Sequence, residues 1–220
     1  MASALDSVRV RQRRLAWLAL PLLLVGCSSW FPDFVEQQRF ERGGRIDRLA
    51  IVPFSAGSRL VATSGREAVD PEEVAALVTG FVGDALLPKV PLIPANDLKV
   101  ALESAAPEIP RQSPEALAML AAGEFGADAV LLGELRRYRE REGSAVGSQR
   151  PASVEFVVTL HAAPSGTKLW SARFAHTQTS LSSNVFDTAR LPGRGSRFLT
   201  VAELARFGAE QVAQELPLGR

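Results

Sequence analysis

The chain has 220 residues, with 25 Lys and Arg against 24 Asp and Glu, a formal net charge of +1. That near-balance gives no electrostatic reason to expect nucleic acid or an anionic membrane surface as a partner, and 46% hydrophobic residues without a low-complexity tract exclude a disordered chain. A single cysteine excludes any disulfide within the chain, so stability must come from packing.

In chain order, Arg9, Arg11, Arg13 and Arg14 form a positive segment with only Asp6 against it, and Leu15 to Val25 is an apolar run broken only by Pro21. Eleven residues cover about 16 Å as a helix, roughly half a bilayer core. The segment therefore reads as the apolar centre of an export signal and not as a transmembrane helix. The run ends in Leu24, Val25, Gly26 and Cys27, which resembles the lipobox of bacterial lipoproteins. The resemblance implies cleavage before Cys27, a diacylglycerol on its thiol and a further palmitate-type chain on the new amino terminus. It would also explain why an exported protein carries one cysteine instead of a pair. Ser28 stands where an aspartate would resemble an inner-membrane retention signal, so the implied destination is the inner leaflet of the outer membrane, facing the periplasm. Residues 1–26 take four arginines and one aspartate with them, a charge of +3, which leaves the remainder at −2.

Residues 27–45 read as a lipidated tether with an aromatic cluster (Trp30, Phe31, Phe34, Phe40) that either packs on the domain or lies near the lipid surface, and residues 46–217 as a single α/β domain. Arg48 to Phe54 (RLAIVPF) predicts a short buried strand closed by proline, followed by a polar loop through Ser64. Asp70, Pro71, Glu72 and Glu73 predict a helix start, with Val74, Leu77, Val78, Phe81, Ala85 and Leu86 on its buried face and Pro88 as its end. Val90 to Ile93 predicts an edge strand, weakened by Pro91. Helices follow over Asn96 to Ser104 and from Ser113, carrying Leu117, Leu120 and Ala121. Asp128 to Leu135 is the most apolar strand and is expected at the centre. It continues into Arg136 to Glu142, where the strand is expected to leave the core and either pair with Ser153 to Val157 as a charged hairpin tip or offer a free edge to a partner strand.

Val154, Phe156, Val158 and Leu160 alternate with polar residues, and Trp170, Ala172 and Phe174 do the same after a turn at Pro164, Ser165 and Gly166. A three-residue hairpin loop pairs Leu160 with Trp170, Val158 with Ala172 and Phe156 with Phe174. Thr200 and Glu203 form a capping-box pattern ahead of a last helix with Leu204, Phe207, Val212 and Leu216 inside. Helices alternating with strands, then a meander, give one mixed α/β sheet with flanking helices and a C-terminal antiparallel hairpin.

RLAIVPF resembles the opening strand of curli-assembly-type lipoproteins and of the amino-terminal domain of the Tol-Pal protein TolB. FGADAVLLG (Phe125 to Gly133) and SGTKLW (Ser165 to Trp170) resemble two further motifs of those families, and the lipoprotein activators of penicillin-binding proteins share the general fold. The resemblance covers roughly residues 46–217. It implies a non-enzymatic lipoprotein that binds an envelope protein or peptidoglycan in cell-envelope assembly or secretion. The alternative is an oligomeric ring or pore subunit of a curli-type system, although no additional pair of about ten-residue strands with a lipid-facing band is present.

Catalytic chemistry is not expected. The two histidines, His161 and His176, fall on opposite faces of the hairpin, one expected in solvent and one near a strand end. No HExxH motif, Cys–His spacing or nucleophile elbow is found, and no metal or cofactor is implied. Glu72 and Glu73 suit the first turn of a helix and complement its dipole. Two arginine groups are the candidate partner-binding residues: Arg137, Arg139 and Arg141 along a strand, and Arg190, Arg194 and Arg197 in a loop. Guanidinium groups suit peptidoglycan stem carboxylates, lipid phosphates or acidic protein surfaces.

Overall fold

The computed structural model describes residues 34–41, 44–64, 67–104, 113–179, 190–192 and 197–219. The chain divides into two compact units, Met1–Pro32 and Asp33–Arg220, and every described residue belongs to the second. The export signal, Cys27, Trp30, Phe31 and Arg194 lie outside the described residues.

The described strands are β1 (Val35–Arg39), β2 (Leu49–Ile51), β3 (Ser55–Ser64), β4 (Glu67–Ala68), β5 (Leu92–Ile93), β6 (Ala129–Arg139), β7 (Glu142–Gly143), β8 (Ser148–Arg150), β9 (Ser153–Ala162) and β10 (Lys168–Thr177). The helices are α1 (Pro71–Leu86), α2 (Ala95–Ser104), α3 (Pro114–Phe125) and α4 (Val201–Glu215). The main sheet runs β1-β10-β9-β6-β2-β5, with β3 continuing the line of β2 along β6, and β4 on the outside of β3. Along β1, β10, β9 and β6 each strand is antiparallel to its neighbour, while β2, β3 and β6 are parallel. The fold is therefore the mixed α/β sheet with flanking helices that the pattern of elements predicts.

One face of the sheet carries the larger core. Leu131, Leu135, Phe156, Val158, Leu160, Trp170 and Phe174 point there and meet α1 and α4. The other face is apolar only at one end, where Ala50, Val52, Ile93 and Val130 pack under α2 and α3. The hairpin register is the predicted one, with Leu160 opposite Trp170, Val158 opposite Ala172 and Phe156 opposite Phe174. Its loop is longer than expected, covering residues 163–167 with Gly166 at φ 72°, and a bulge between Lys168 and Trp170 restores the phase. Two glycines let rings lie against backbone. A Cβ on Gly133 would meet the Phe54 ring at 2.2 Å, and one on Gly208 of α4 would meet the Phe174 ring at 2.5 Å.

The helix signals act as read. Asp70 accepts a hydrogen bond from the Glu72 amide, and both halves of the Thr200–Glu203 capping box form. Part of the tether packs on the domain, one of its two expected outcomes, as β1, an edge strand paired with β10 in which Val35 buries its side chain while its polar neighbours face water. Three expectations are corrected. The polar stretch after Phe54 is not a loop but β3, held by the neighbouring backbone of β6 and not by apolar side chains. Leu77 is exposed, and Ala75, Thr79 and Val82 take the buried positions on α1. The strand after Leu135 pairs within Ser153 to Val157, one of its two expected outcomes, but it does not leave the core. β6 stays between β3 and β9 through Arg139, with a bulge at Arg136 that turns Tyr138 back into the core.

Candidate functional site

The bulge at Arg136 decides where the charges of β6 go. Leu131 and Leu135 face α1 and α4, whereas Val130 and Leu132 face α2 and α3. The extra residue shifts the phase, so Tyr138 rejoins the first face while Arg137 and Arg139 line the second. Beyond α2 and α3, no described helix covers this second face. It is a polar sheet surface carrying Glu134, Arg137, Glu155, Thr159, Ser171 and Arg173.

At its centre stands Glu155, only 9% exposed. Arg137, directly opposite on β6, donates to one carboxylate oxygen, and Arg173 on β10 donates to the other at 2.9 and 3.1 Å. Burial pushes the Glu155 carboxyl up, but the hydrogen bonds and charges of Arg137 and Arg173 outweigh it and hold the carboxyl below its ordinary value. Reading the sequence alone misses this residue. The hairpin register places Glu155 outward, but only the pairing of β9 with β6 reveals the arginine facing it.

Beside Glu155, β3 bulges as well. Its register with β6 jumps between Ala56 and Val61, opposite the jump between Leu135 and Arg137. The two irregularities open a cleft of about 530 Å³ lined by Gly57, Ser58, Arg59, Val61, Arg136 and Arg137, with Glu134 and Glu155 as its acids. Gly57 is required at its wall, since a Cβ there would come within 2.9 Å of both Glu134 Oε1 and the Leu135 carbonyl oxygen. Arg136 pairs with Glu134 at 2.8 Å and Arg137 with Glu155, which neutralises both carboxylates. Arg59 makes no ion pair among the described residues, so the cleft presents unspent positive charge.

The candidate arginines from the sequence do not converge. Arg137 lines the cleft. Arg139 is half-buried on the same face, its Nε without a hydrogen-bond partner among the described residues. Arg141 has left the strand and donates to the Phe198 carbonyl oxygen. Arg197 grips Glu203 with two bonds of 2.5 and 2.8 Å, and Glu140 accepts from the Val201 amide at 3.2 Å. Glu140 and Arg141 thus fasten the start of α4 to the end of β6, while Arg197 braces the first turn of α4. The Arg197 hydrogen bond pulls the Glu203 carboxyl down to about 2. Arg190 stacks over the Phe34 ring at 4.6 Å.

Neither histidine is solvent-facing. His161 is buried, its Nδ1–H donating to the Gly166 carbonyl oxygen at 2.8 Å and its Nε2 hydrogen-bonded with the Thr159 hydroxyl at 3.1 Å. The half-buried His176 lies against Phe34 and Phe174, on the opposite face, as expected. Among the described residues no group of three or more His, Cys, Asp or Glu is placed to hold a metal ion, and no helix is long and apolar enough to cross a membrane.

No family model matches the sequence, and no curated protein matches it. Among solved structures, the PelC dodecamer from Paraburkholderia phytofirmans matches 81% of this chain and 92% of its own at 17% identity, with a TM-score of 0.40. Lipoprotein GNA1162 from Neisseria meningitidis matches 62% of this chain and 86% of its own at 19% identity, TM-score 0.41. The C-terminal domain of LpoB from Escherichia coli matches 63% and 88% at 16% identity, TM-score 0.39. At such values the matches carry no argument about what this chain binds.

Proposed function

We propose that the protein is a lipid-anchored, non-enzymatic binding module on the periplasmic face of the outer membrane, holding an acidic partner in cell-envelope assembly or secretion. Cys27 supplies the anchor, and the open sheet face supplies the binding surface. The observation that carries the reading is the cleft between β3 and β6, where Arg59 has no carboxylate partner among the described residues while Arg136 and Arg137 cancel Glu134 and Glu155. A guanidinium in that setting suits a carboxylate, from an acidic protein segment or a peptidoglycan stem. Arg137 lines the cleft beside Arg59 but is paired with Glu155, whereas Arg141 and Arg197 are tied to the start of α4.

The test is capture of envelope components by the lipidated protein carrying Arg59→Glu. The substitution is at an exposed position, so melting should stay within about 0.5 kcal/mol of the parent. Capture should weaken, and the parent's capture should fall with salt, because exposed charges are screened beyond about 8 Å at physiological ionic strength. Undiminished, salt-independent capture by a folded Arg59→Glu protein would remove the cleft from the binding surface.

A further inference from the structure

The described chain begins at one end of the sheet, and the number of residues before it limits which end a lipid on Cys27 can bring to a membrane. Seven peptide units separate Cys27 from Phe34, a maximum span of about 25 Å. Phe34 is held in place. It makes edge-to-face contacts with Phe207 at 5.0 Å and His176 at 5.2 Å, and Val35 then pairs with Phe174. The start of β1 therefore lies beside the end of β10.

Strand polarity extends this placement across the sheet. β10 is antiparallel to β9, β9 to β6, and β6 is parallel to β3. The end nearest the anchor thus collects the starts of β1 and β9 and the ends of β10, β6 and β3. The small hairpin of β7 and β8 leaves from this end, between β6 and β9. It is fixed to the domain, since the Phe198 amide donates to the Ala145 carbonyl oxygen at 2.7 Å and Arg141 donates to the Phe198 carbonyl oxygen. At its tip is Val146, 84% exposed, the most exposed large apolar side chain among the described residues. The opposite end carries Leu87, exposed past the end of α1, and Lys89, which donates to Ala213 near the end of α4.

A lone exposed valine is ordinary on any surface, so the argument rests on its location. α4 runs from one end to the other, and its 15 residues span about 22 Å. For the Leu87 end to touch the bilayer, the seven peptide units would have to be almost fully extended across that length. For the Val146 end to touch, they need cover little. We infer that the domain sits anchor-end down, with the β7–β8 hairpin resting on the lipid headgroups and Val146 reaching into the interface, which leaves the opposite end pointing into the periplasm. This rests on lipidation of Cys27.

The test uses the mature lipidated protein. With Cys27 acylated the chain has no other thiol, so Val146→Cys and Leu87→Cys each give one labelling site. Each variant, labelled with bimane, is reconstituted into phosphatidylethanolamine–phosphatidylglycerol vesicles containing brominated acyl chains. The inference requires quenching at position 146 several-fold greater than at position 87. Equal quenching at both, or greater quenching at position 87, overturns it while leaving the anchor intact. A protein that fails to float with vesicles, and whose amino-terminal peptide has no acyl mass, overturns the anchor and the orientation together.

Discussion

Phe174 and Gly208 form a contact whose energetics can be worked from geometry and tested by one cycle of substitutions. The Phe174 ring is fully buried, with the Phe156 ring 5.5 Å away on one side and the Phe207 ring at 6.3 Å. α4 crosses it at Gly208, where a Cβ would lie 2.5, 2.6 and 2.8 Å from three ring carbons, far inside the 3.5–4 Å of an ordinary carbon contact. Gly208→Ala should therefore strain the core by about 1–3 kcal/mol, offset by about 1 kcal/mol of helix propensity, a small net loss. Phe174→Ala should cost about 3–5 kcal/mol, which for a domain of this size lowers melting by about 6–20 °C. In the double variant the ring is gone, so Gly208→Ala should now stabilise by about 1 kcal/mol. Chemical denaturation of the four proteins gives a coupling of about 1–3 kcal/mol, with Gly208→Ala changing sign between backgrounds. If Gly208→Ala has the same effect in both backgrounds, α4 does not cross β10 where described.

Thr200→Ala removes the hydroxyl that caps α4 and should cost about 1 kcal/mol in denaturant melts. The Glu203 carboxyl, at about 2 in the folded protein and ordinarily at 4.5, binds its proton more weakly when folded. It therefore stabilises fully above pH 4.5, and the effect is lost as pH falls from 4.5 towards 2. A Glu203→Gln protein should be less stable than the parent at neutral pH, with the gap closing by about pH 2; a gap independent of pH contradicts the Arg197–Glu203 pair. Detergent-extracted protein should run as a single chain in native mass measurements, and a stable high-order ring would favour the ring or pore alternative.

The parts of the fold legible in sequence are those where one local rule operates without competition. The hairpin register follows from strict alternation around Phe156 and Phe174, and the helix starts follow from Asp70 and Thr200 as caps. β1 and β3 were not legible because their pairing energy is in backbone bonds to distant strands, while their side chains read as polar loop. The cleft was hidden for the same reason. Arg136 and Arg137 are adjacent in an ordinary alternation, and only a bulge, which local sequence does not announce, sends one to the cleft wall and the other to Glu155. The tie between Arg197 and Glu203 was not legible because an arginine in a loop looks alike in sequence whether it meets solvent or braces a helix start.

The proposed function depends most directly on the chemistry at Cys27. Mass analysis of the amino-terminal peptide from protein purified out of intact envelopes should find a chain beginning at residue 27 and carrying diacylglycerol and a further acyl group, with Cys27→Ser giving unprocessed, unacylated protein. A parent peptide beginning elsewhere, or carrying a free Cys27 thiol, would contradict the account.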